Sequence, residues 1–378
     1  MKRLSGKLFS SIDEPILGKI TFKPVNLFTR KNYIFISNDG RTKFGYAANL
    51  VTTPSNSRPY LKSNSVLIDP EEIKYLNEGD IVSIEKNGVI KVLYEKDSIH
   101  NFLLLTERCN SSCIMCPNPV VTKEDDKIPM ILKVISLINK DTQLLGITGG
   151  EPTLMGDKLV DLINACKVAL PQTKLMLLTN GMKFEDFNYV KKIVSVKHPE
   201  LTIDIPIYSD IDTIHNDIVG AKGFYKTIQG LYNLACFDQK IGLRVVIHRL
   251  NYRRLPQMAE FIYHNLPFVK HIAFMQMEPS GVAKVNIDEL WVDPYDYINE
   301  LERTILYLHR REMRVSIYNA QLCVLSPILW EYTKRSISTW KNIYIDTCKD
   351  CDYKENCGGF FASSLEIYSK HIKAFKLS

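Results

Sequence analysis

Residues 106–119 read TERCNSSCIMCPNP and set Cys109, Cys113 and Cys116 in C-x3-C-x2-C spacing, directly after an apolar run, Phe102–Thr106, that reads as a strand. Thiolates on so short a loop can converge on one iron–sulfur cluster, each binding a different iron. Three ligands for four irons leave one iron open, as catalytic metal sites keep a position for substrate. A molecule with an amine beside a carboxylate, such as the methionine end of S-adenosylmethionine (SAM), can chelate that iron. An electron from the cluster can then break the sulfur–carbon bond and release a carbon-centred radical. Coincidence or half of a zinc site is the plain alternative. The triplet's place at the C-terminal end of a first barrel strand weighs against it, because active sites gather on that face.

About 30 residues further on, Gly146-Ile-Thr-Gly-Gly-Glu-Pro-Thr153 follows a second strand. Gly149 and Gly150 expose backbone at the strand end, where a ligand can approach closely. Glu151 supplies an acceptor for the ammonium of methionine. Alone, Gly-Gly-Glu-Pro could be a simple turn; after the cysteine triplet it joins the same site.

Outward from these motifs, apolar strands alternate with helical stretches, the rhythm of βαβ units. Six strands are expected: Phe102–Thr106, Leu144–Thr148, Lys174–Thr179, Thr202–Tyr208, Gly242–His248 and His271–Gln276, with helices such as Lys158–Leu170, Tyr225–Ala235 and Leu255–Asn265 between them. Six parallel strands are too few for the eight-stranded barrel, so the fold class is α/β with a partial, open (β/α)6 barrel. Ile203, Ile205 and Ile207 share one strand face, as do Leu243, Val245 and Ile247. Their opposite faces place Asp204, Tyr208, Arg244 and His248 toward a polar lumen, where a doubly covered parallel strand would be apolar throughout.

Residues 1–98 read as a small β-rich domain. Short runs such as Tyr33–Ser37 and Val66–Ile68 are separated by turn residues, Asn38-Asp39-Gly40 and Pro54-Ser55-Asn56, and Gly79–Tyr94 forms a hairpin around Asn87-Gly88. The barrel spans 99–281. Residues 282–378 hold a helical stretch (Pro294–Met313), a short strand (Arg314–Tyr318) and a cysteine-dense tail.

The chain has 378 residues, 45% hydrophobic and 24% charged, with a formal net charge of +6. No Lys/Arg block is dense enough for a nucleic-acid footprint, and Lys123–Lys127 reads as a solvated loop. No apolar run reaches the length of a membrane span and the opening residues lack a signal-peptide core, so a cytoplasmic location is expected. In a reducing compartment nine cysteines point to metal ligation or catalysis rather than disulfides. Cys166 and Cys236 sit inside helical patterns and read as small buried hydrophobes. His215 and His248 read equally as core or site histidines.

The two motifs, in this order, resemble the radical SAM superfamily, whose partial barrel matches the expected strand count. The resemblance implies that Cys109, Cys113 and Cys116 hold a [4Fe–4S] cluster, that Gly149, Gly150 and Glu151 bind the amino group of SAM, and that Met115 contacts the adenine. It further implies that Asn180 and Ser209 face SAM. Many relatives carry an Arg in a His-Asp-x-x-Arg element. This chain reads His215-Asn-Asp-Ile-Val219, so Arg244 is the substitute for the SAM carboxylate.

Cys348-x2-Cys351-x5-Cys357, with Cys323 upstream, can close a complete site around one [4Fe–4S] cluster or one zinc. Beside the barrel the spacing resembles the SPASM and shorter twitch extensions, and four cysteines imply one auxiliary cluster, twitch-like. Several stretches, among them GFYKTIQGLYNL (223–234), SIYNAQLCVLSPILW (316–330), SISTWKN (336–342) and CGGFFASS (357–364), are similar to the C-type radical SAM maturase of the His-Xaa-Ser peptide system. That similarity implies a ribosomally made precursor with His-Xaa-Ser repeats, a second, B-type radical SAM partner, a flavodoxin- or ferredoxin-like electron donor, and hydrogen abstraction leading to a crosslink or other oxidation. A radical SAM enzyme for a small molecule or RNA, and a non-enzymatic iron–sulfur or zinc protein, are the rival readings. Tyr208, Gln276 and Glu278 occupy positions where a catalytic acid or base could stand.

Overall fold

A computed structural model of the chain describes residues 2–37, 42–52, 64–118, 121, 126–335 and 342–376. The expected turns at 38–40 and 54–56, most of the 123–127 charge run and most of 336–342 lie outside the described residues. By density of contacts the chain divides into two compact units. One comprises Met1–Leu105, Asp126–Gly146 and Asp161–Lys174; the other comprises Thr106–Asp125, Ile147–Val160 and Leu175–Ser378.

The first sheet contains β1 (Arg3–Leu4), β2 (Gly6–Leu8), β3 (Ile16–Thr21), β4 (Tyr33–Ser37), β5 (Ala48–Val51), β6 (Ser65–Ile68), β7 (Ile81–Ile84) and β8 (Ile90–Tyr94), in the order β1-β8-β7-β3-β4-β5-β6-β2. The terminal strands β1 and β2 are one run of chain broken at Ser5, with Leu4 beside Ile90 and Gly6 beside Ile68. Through this one run of chain the two ends of the sheet are joined. Closure demands close approach. A Cβ at Gly6 would stand 2.6 Å from Val66 Cγ1, and Gly88 at the hairpin turn has φ +84°. Ile20, Ile34, Leu50, Val66, Ile84 and Ile90 fill its apolar core.

The second sheet runs in sequence order through β9 (His100–Leu104), β10 (Leu144–Thr148), β11 (Lys174–Leu178), β12 (Leu201–Pro206), β13 (Lys240–Ile247), β14 (His271–Gln276), β15 (Val315–Tyr318) and β16 (Thr333–Lys334). Pairing from β11 through β16 is parallel. The result is an α/β half-barrel. All six expected barrel strands are present with ends shifted by at most two residues, and two more strands extend them. Connecting helices include Asp157–Ala169, Phe224–Ala235 and Leu255–Asn265. The expected helix Pro294–Met313 is a 3-10 turn, Pro294–Tyr297, followed by Ile298–His309. Among the described residues no helix is long and apolar enough to cross a membrane.

The strand faces divide as the alternation requires. Ile203, Ile205, Ile207, Leu243, Val245 and Ile247 are buried, while Asp204 and Arg244 on the other face are partly exposed. Tyr208 and His248 are buried just past their strands, where Asn251 donates from Nδ2 to the Tyr208 carbonyl (3.1 Å) and accepts from the His248 amide (2.9 Å). His215 is a core residue, its ring between Tyr208 and Phe224 at centroid distances of 5.8 and 5.5 Å. Cys166 is buried as expected, but Cys236 is exposed, because it caps the C-terminal end of its helix instead of facing inward.

Candidate active site

The Cys109–Cys116 loop lies in the second unit, and three separate segments clamp its backbone. The Gly-Gly-Glu segment is the first: Gly150 N donates to Thr106 O (2.8 Å) and Glu151 N to Arg108 O (2.7 Å). The second is the end of the helix Asp212–Val219, where Ser112 N reaches Val219 O (3.0 Å) and Ile114 N reaches Ile218 O (3.1 Å). The third, past β14, has Val282 N on Cys116 O (2.9 Å) and Asn286 Nδ2 on Ile114 O (2.9 Å).

The glycines have a structural part here. A Cβ on Gly149 would lie 2.6 Å from Thr106 O, and one on Gly150 would collide with Arg108 O, so their smallness admits the backbone that leads into the cysteine loop. Gly281 (φ +57°) plays the same part from the far end of the loop, since a Cβ there would strike Pro117 O. No spacing rule marked it; its neighbour in space is more than 160 positions away in sequence.

Glu151 is 1% exposed, and its Oε1 accepts from Thr153 N (2.9 Å), Thr153 Oγ1 (2.6 Å) and Thr179 Oγ1 (2.6 Å), while Oε2 accepts from Asn180 N (2.7 Å). Three donors on Oε1 and one on Oε2 leave Oε2 able to accept another. Burial raises its pKa, against the pull of those bonds. Glu151 thus knots the ends of β10 and β11 together. Asn180 continues the knot, donating from Nδ2 to Asn110 Oδ1 (2.7 Å) between the first two cysteines.

Met115 is buried in an apolar cluster with Tyr208, Ile218, Val219, Ala283 and Leu290, against which Cys113 packs. Ser209 is buried and accepts from Ile211 N (3.1 Å) at the start of the following helix. Arg244 sets Nη2 3.3 Å from Met275 Sδ, a weak acceptor, and its charge acts on the Asp204 carboxyl. Tyr208 lies within electrostatic reach of Arg244 and of Cys113, Cys116 and Cys109, which places these groups in one neighbourhood.

Burial, then the neighbouring Cys116 and Cys109, pushes the Cys113 thiol up to about 12, and burial raises Cys109 as well. Such thiols ionise when a metal replaces the proton, since a coordinated thiol is deprotonated outright. No three His, Cys, Asp or Glu side chains among the described residues are grouped to hold a single metal ion. Three thiols on one short loop are the donor set of an iron–sulfur cluster with one iron left open.

Cys323, Cys348, Cys351 and Cys357 all line one cavity with about 350 Å3 of empty space, part of it open to solvent. Leu322 N points to Cys357 Sγ (3.5 Å) and Phe375 N to Cys351 Sγ (3.4 Å). Hydrogen bonds of this kind tune iron–sulfur clusters. Ile372, Lys373 and Phe375 close the cavity, and Trp330 packs on Tyr353 (4.9 Å) and Phe375 (5.3 Å). The tail's part in this site had no motif to announce it.

Residues 103–262 match the family model described as the Radical SAM superfamily. That stretch contains the cysteine triplet, the Gly-Gly-Glu segment, Asn180, Ser209 and Arg244, and it is a radical SAM domain. No curated protein matches the chain. Among solved structures, Streptococcus suis SuiB bound to S-adenosylmethionine is 18% identical over 64% of this chain and 54% of its own, with a TM-score of 0.48. A second SuiB structure gives 17%, 59%, 49% and 0.45. The chain thus spans about half the length of the SuiB chains it matches. Hexahistidine-tagged anSMEcpe with bound AdoMet is 15% identical over 72% of this chain and 88% of its own, with a TM-score of 0.50, and shares the fold.

Proposed function

We propose that the chain is a radical SAM maturase acting on a ribosomally made peptide with His-Xaa-Ser repeats. The observation that carries the first half is the triple clamp on the Cys109–Cys116 loop within the matched domain. When bound and reduced, the cluster would supply the electron that cleaves SAM into methionine and a 5′-deoxyadenosyl radical.

The chain's own residues hold and shield that chemistry. Cys109, Cys113 and Cys116 ligate three irons, and the knot through Glu151 and Asn180 fixes their loop. Arg244, with a weak sulfur partner, meets the SAM carboxylate, and Met115 walls the adenine. Cys323, Cys348, Cys351 and Cys357 would hold an auxiliary [4Fe–4S] cluster, which would supply a substrate-binding or electron-accepting site. The peptide class rests on the similarity of the 223–234, 316–330 and 357–364 stretches to the His-Xaa-Ser maturases. A B-type partner and a flavodoxin- or ferredoxin-like donor complete the system.

The test is release of 5′-deoxyadenosine by anaerobically reconstituted, reduced protein, with precursor and partner supplied. Product from the wild type and at least a hundredfold less from Cys116→Ala is expected, roughly the scale on which loss of an essential catalytic group acts. Well-loaded protein that makes none would leave a structural metal protein.

A further inference from the structure

A cavity with about 490 Å3 of empty space, part of it open to solvent, lies in the second unit at the C-terminal ends of β13 and β14, where Ile247 and Gln276 finish their strands. It shares walls with both cysteine sites. Met277 and Leu290 belong also to the apolar cluster that holds Met115 and Cys113. Gln321 and Phe360 belong also to the four-cysteine cavity. A group lodged here borders the two.

The lining defines what that group is. Among the described residues that form it there is no Lys, Arg, His, Asp or Glu. Asp293, within electrostatic reach of Tyr297, is the charged group beside the wall, and none stands in the lining itself, which favours an uncharged guest. Trp291, Tyr297, Phe360 and Tyr368 offer flat apolar faces. One polar group is left wanting. Gln276 is 7% exposed, and its Nε2 has no hydrogen-bond partner. Tyr297 lies against the Gln276 side chain. Asn319, held at φ +62°, donates from Nδ2 to the Gln276 carbonyl (3.2 Å) and fixes the residue's backbone. Buried donors without partners are rare in folded proteins, and strained backbone clusters at ligand sites.

We propose that this cavity takes a neutral, planar side chain of the peptide substrate, the imidazole of the repeat histidine, whose unprotonated ring nitrogen accepts from Gln276 Nε2. The inference rests on the peptide reading above and makes Gln276 a specificity-determining residue. Neutral imidazole meets each demand of the site: it is flat, it is uncharged above its pKa near 6.5, and it presents one acceptor.

Two measurements on the reconstituted holoenzyme with SAM test it. In the first, 4-methylimidazole is titrated by ligand-observed NMR. Binding is expected at about pH 8, to be lost at about pH 5.5, where the ring is protonated, and to weaken about tenfold in Gln276→Leu, which removes the donor at similar volume. Gln276→Glu turns donor into acceptor and is expected to prefer the imidazolium, reversing the pH trend. In the second, Gln276→Leu should raise KM for the precursor about tenfold. A precursor with the repeat histidines changed to Ala should erase the difference between wild type and variant. Gln276-dependent imidazole binding by an enzyme that leaves the precursor unmodified would keep the cavity assignment and remove the peptide reading. A precursor processed with equal KM by wild type and Gln276→Leu, beside imidazole binding indifferent to Gln276, would overturn the inference and keep the peptide reading.

Discussion

At the scale of single residues, the site is built on backbone approach. Gly150 and Gly281 sit where a Cβ would strike the carbonyls of Arg108 and Pro117, one at each end of the cysteine loop. Gly150→Ala or Gly281→Ala must push that loop away, at a cost of about 1–3 kcal/mol for Gly281, whose φ of +57° a side chain also resists. Each is expected to lower iron bound at the triplet severalfold, read as iron per chain in a background where Cys348, Cys351 and Cys357 are Ala. Full iron loading in both variants would show that the loop tolerates displacement. The glycine pair at 149–150 was legible because it sits in a motif. Gly281 was not, because nothing near it in sequence hints that Pro117 is its neighbour.

At the scale of elements, sequence periodicity served well wherever one face of a strand or helix is covered. The 203/205/207 and 243/245/247 sets landed buried, and the helix Leu255–Asn265 begins and ends where its pattern does. Tyr208 and His248 continue the alternation past the ends of β12 and β13, where Asn251 bonds their backbone and both are buried. The closing tail is an element-scale matter too. A chain ending at His371 loses the Phe375 amide from Cys351 and the ring from Trp330. Iron per reconstituted chain is expected to fall from about eight to about four, with SAM cleavage retained. Unchanged iron would mean that the four thiols suffice without their cover.

At the scale of the molecule, acid is the expected weakness. Burial lowers the pKa of His215 and His248 from 6.5 to about 4. The unfolded chain therefore binds more protons between pH 6.5 and 4, so their contribution is fully present above 6.5 and is lost as pH falls toward 4. Each could cost up to about 3 kcal/mol over that window. His215→Phe removes one such group, and also the acceptor for Tyr208 N (3.3 Å). Urea midpoints, taken anaerobically, should show it about 1–2 kcal/mol less stable at pH 7.5 but less steeply weakened toward pH 5. Parallel pH profiles for the two proteins would show that His215 titrates normally.

The sequence by itself determined what can be read within a few dozen residues: the three-cysteine loop after a strand, the Gly-Gly-Glu turn after the next, the βαβ rhythm, and the hairpin at Asn87-Gly88. Those features are local because cluster spacing, strand alternation and turn chemistry are set by bonds and dihedrals a few residues apart. Tertiary structure alone decided that residues 3–8 close the first sheet, that Gly281–Asn286 clamp Cys116 and Ile114, and that the tail seals the second cysteine site. Partners so far apart in the chain meet because closing the loop between them costs entropy that only the packing of the whole fold repays, and that balance leaves no periodic trace in the sequence.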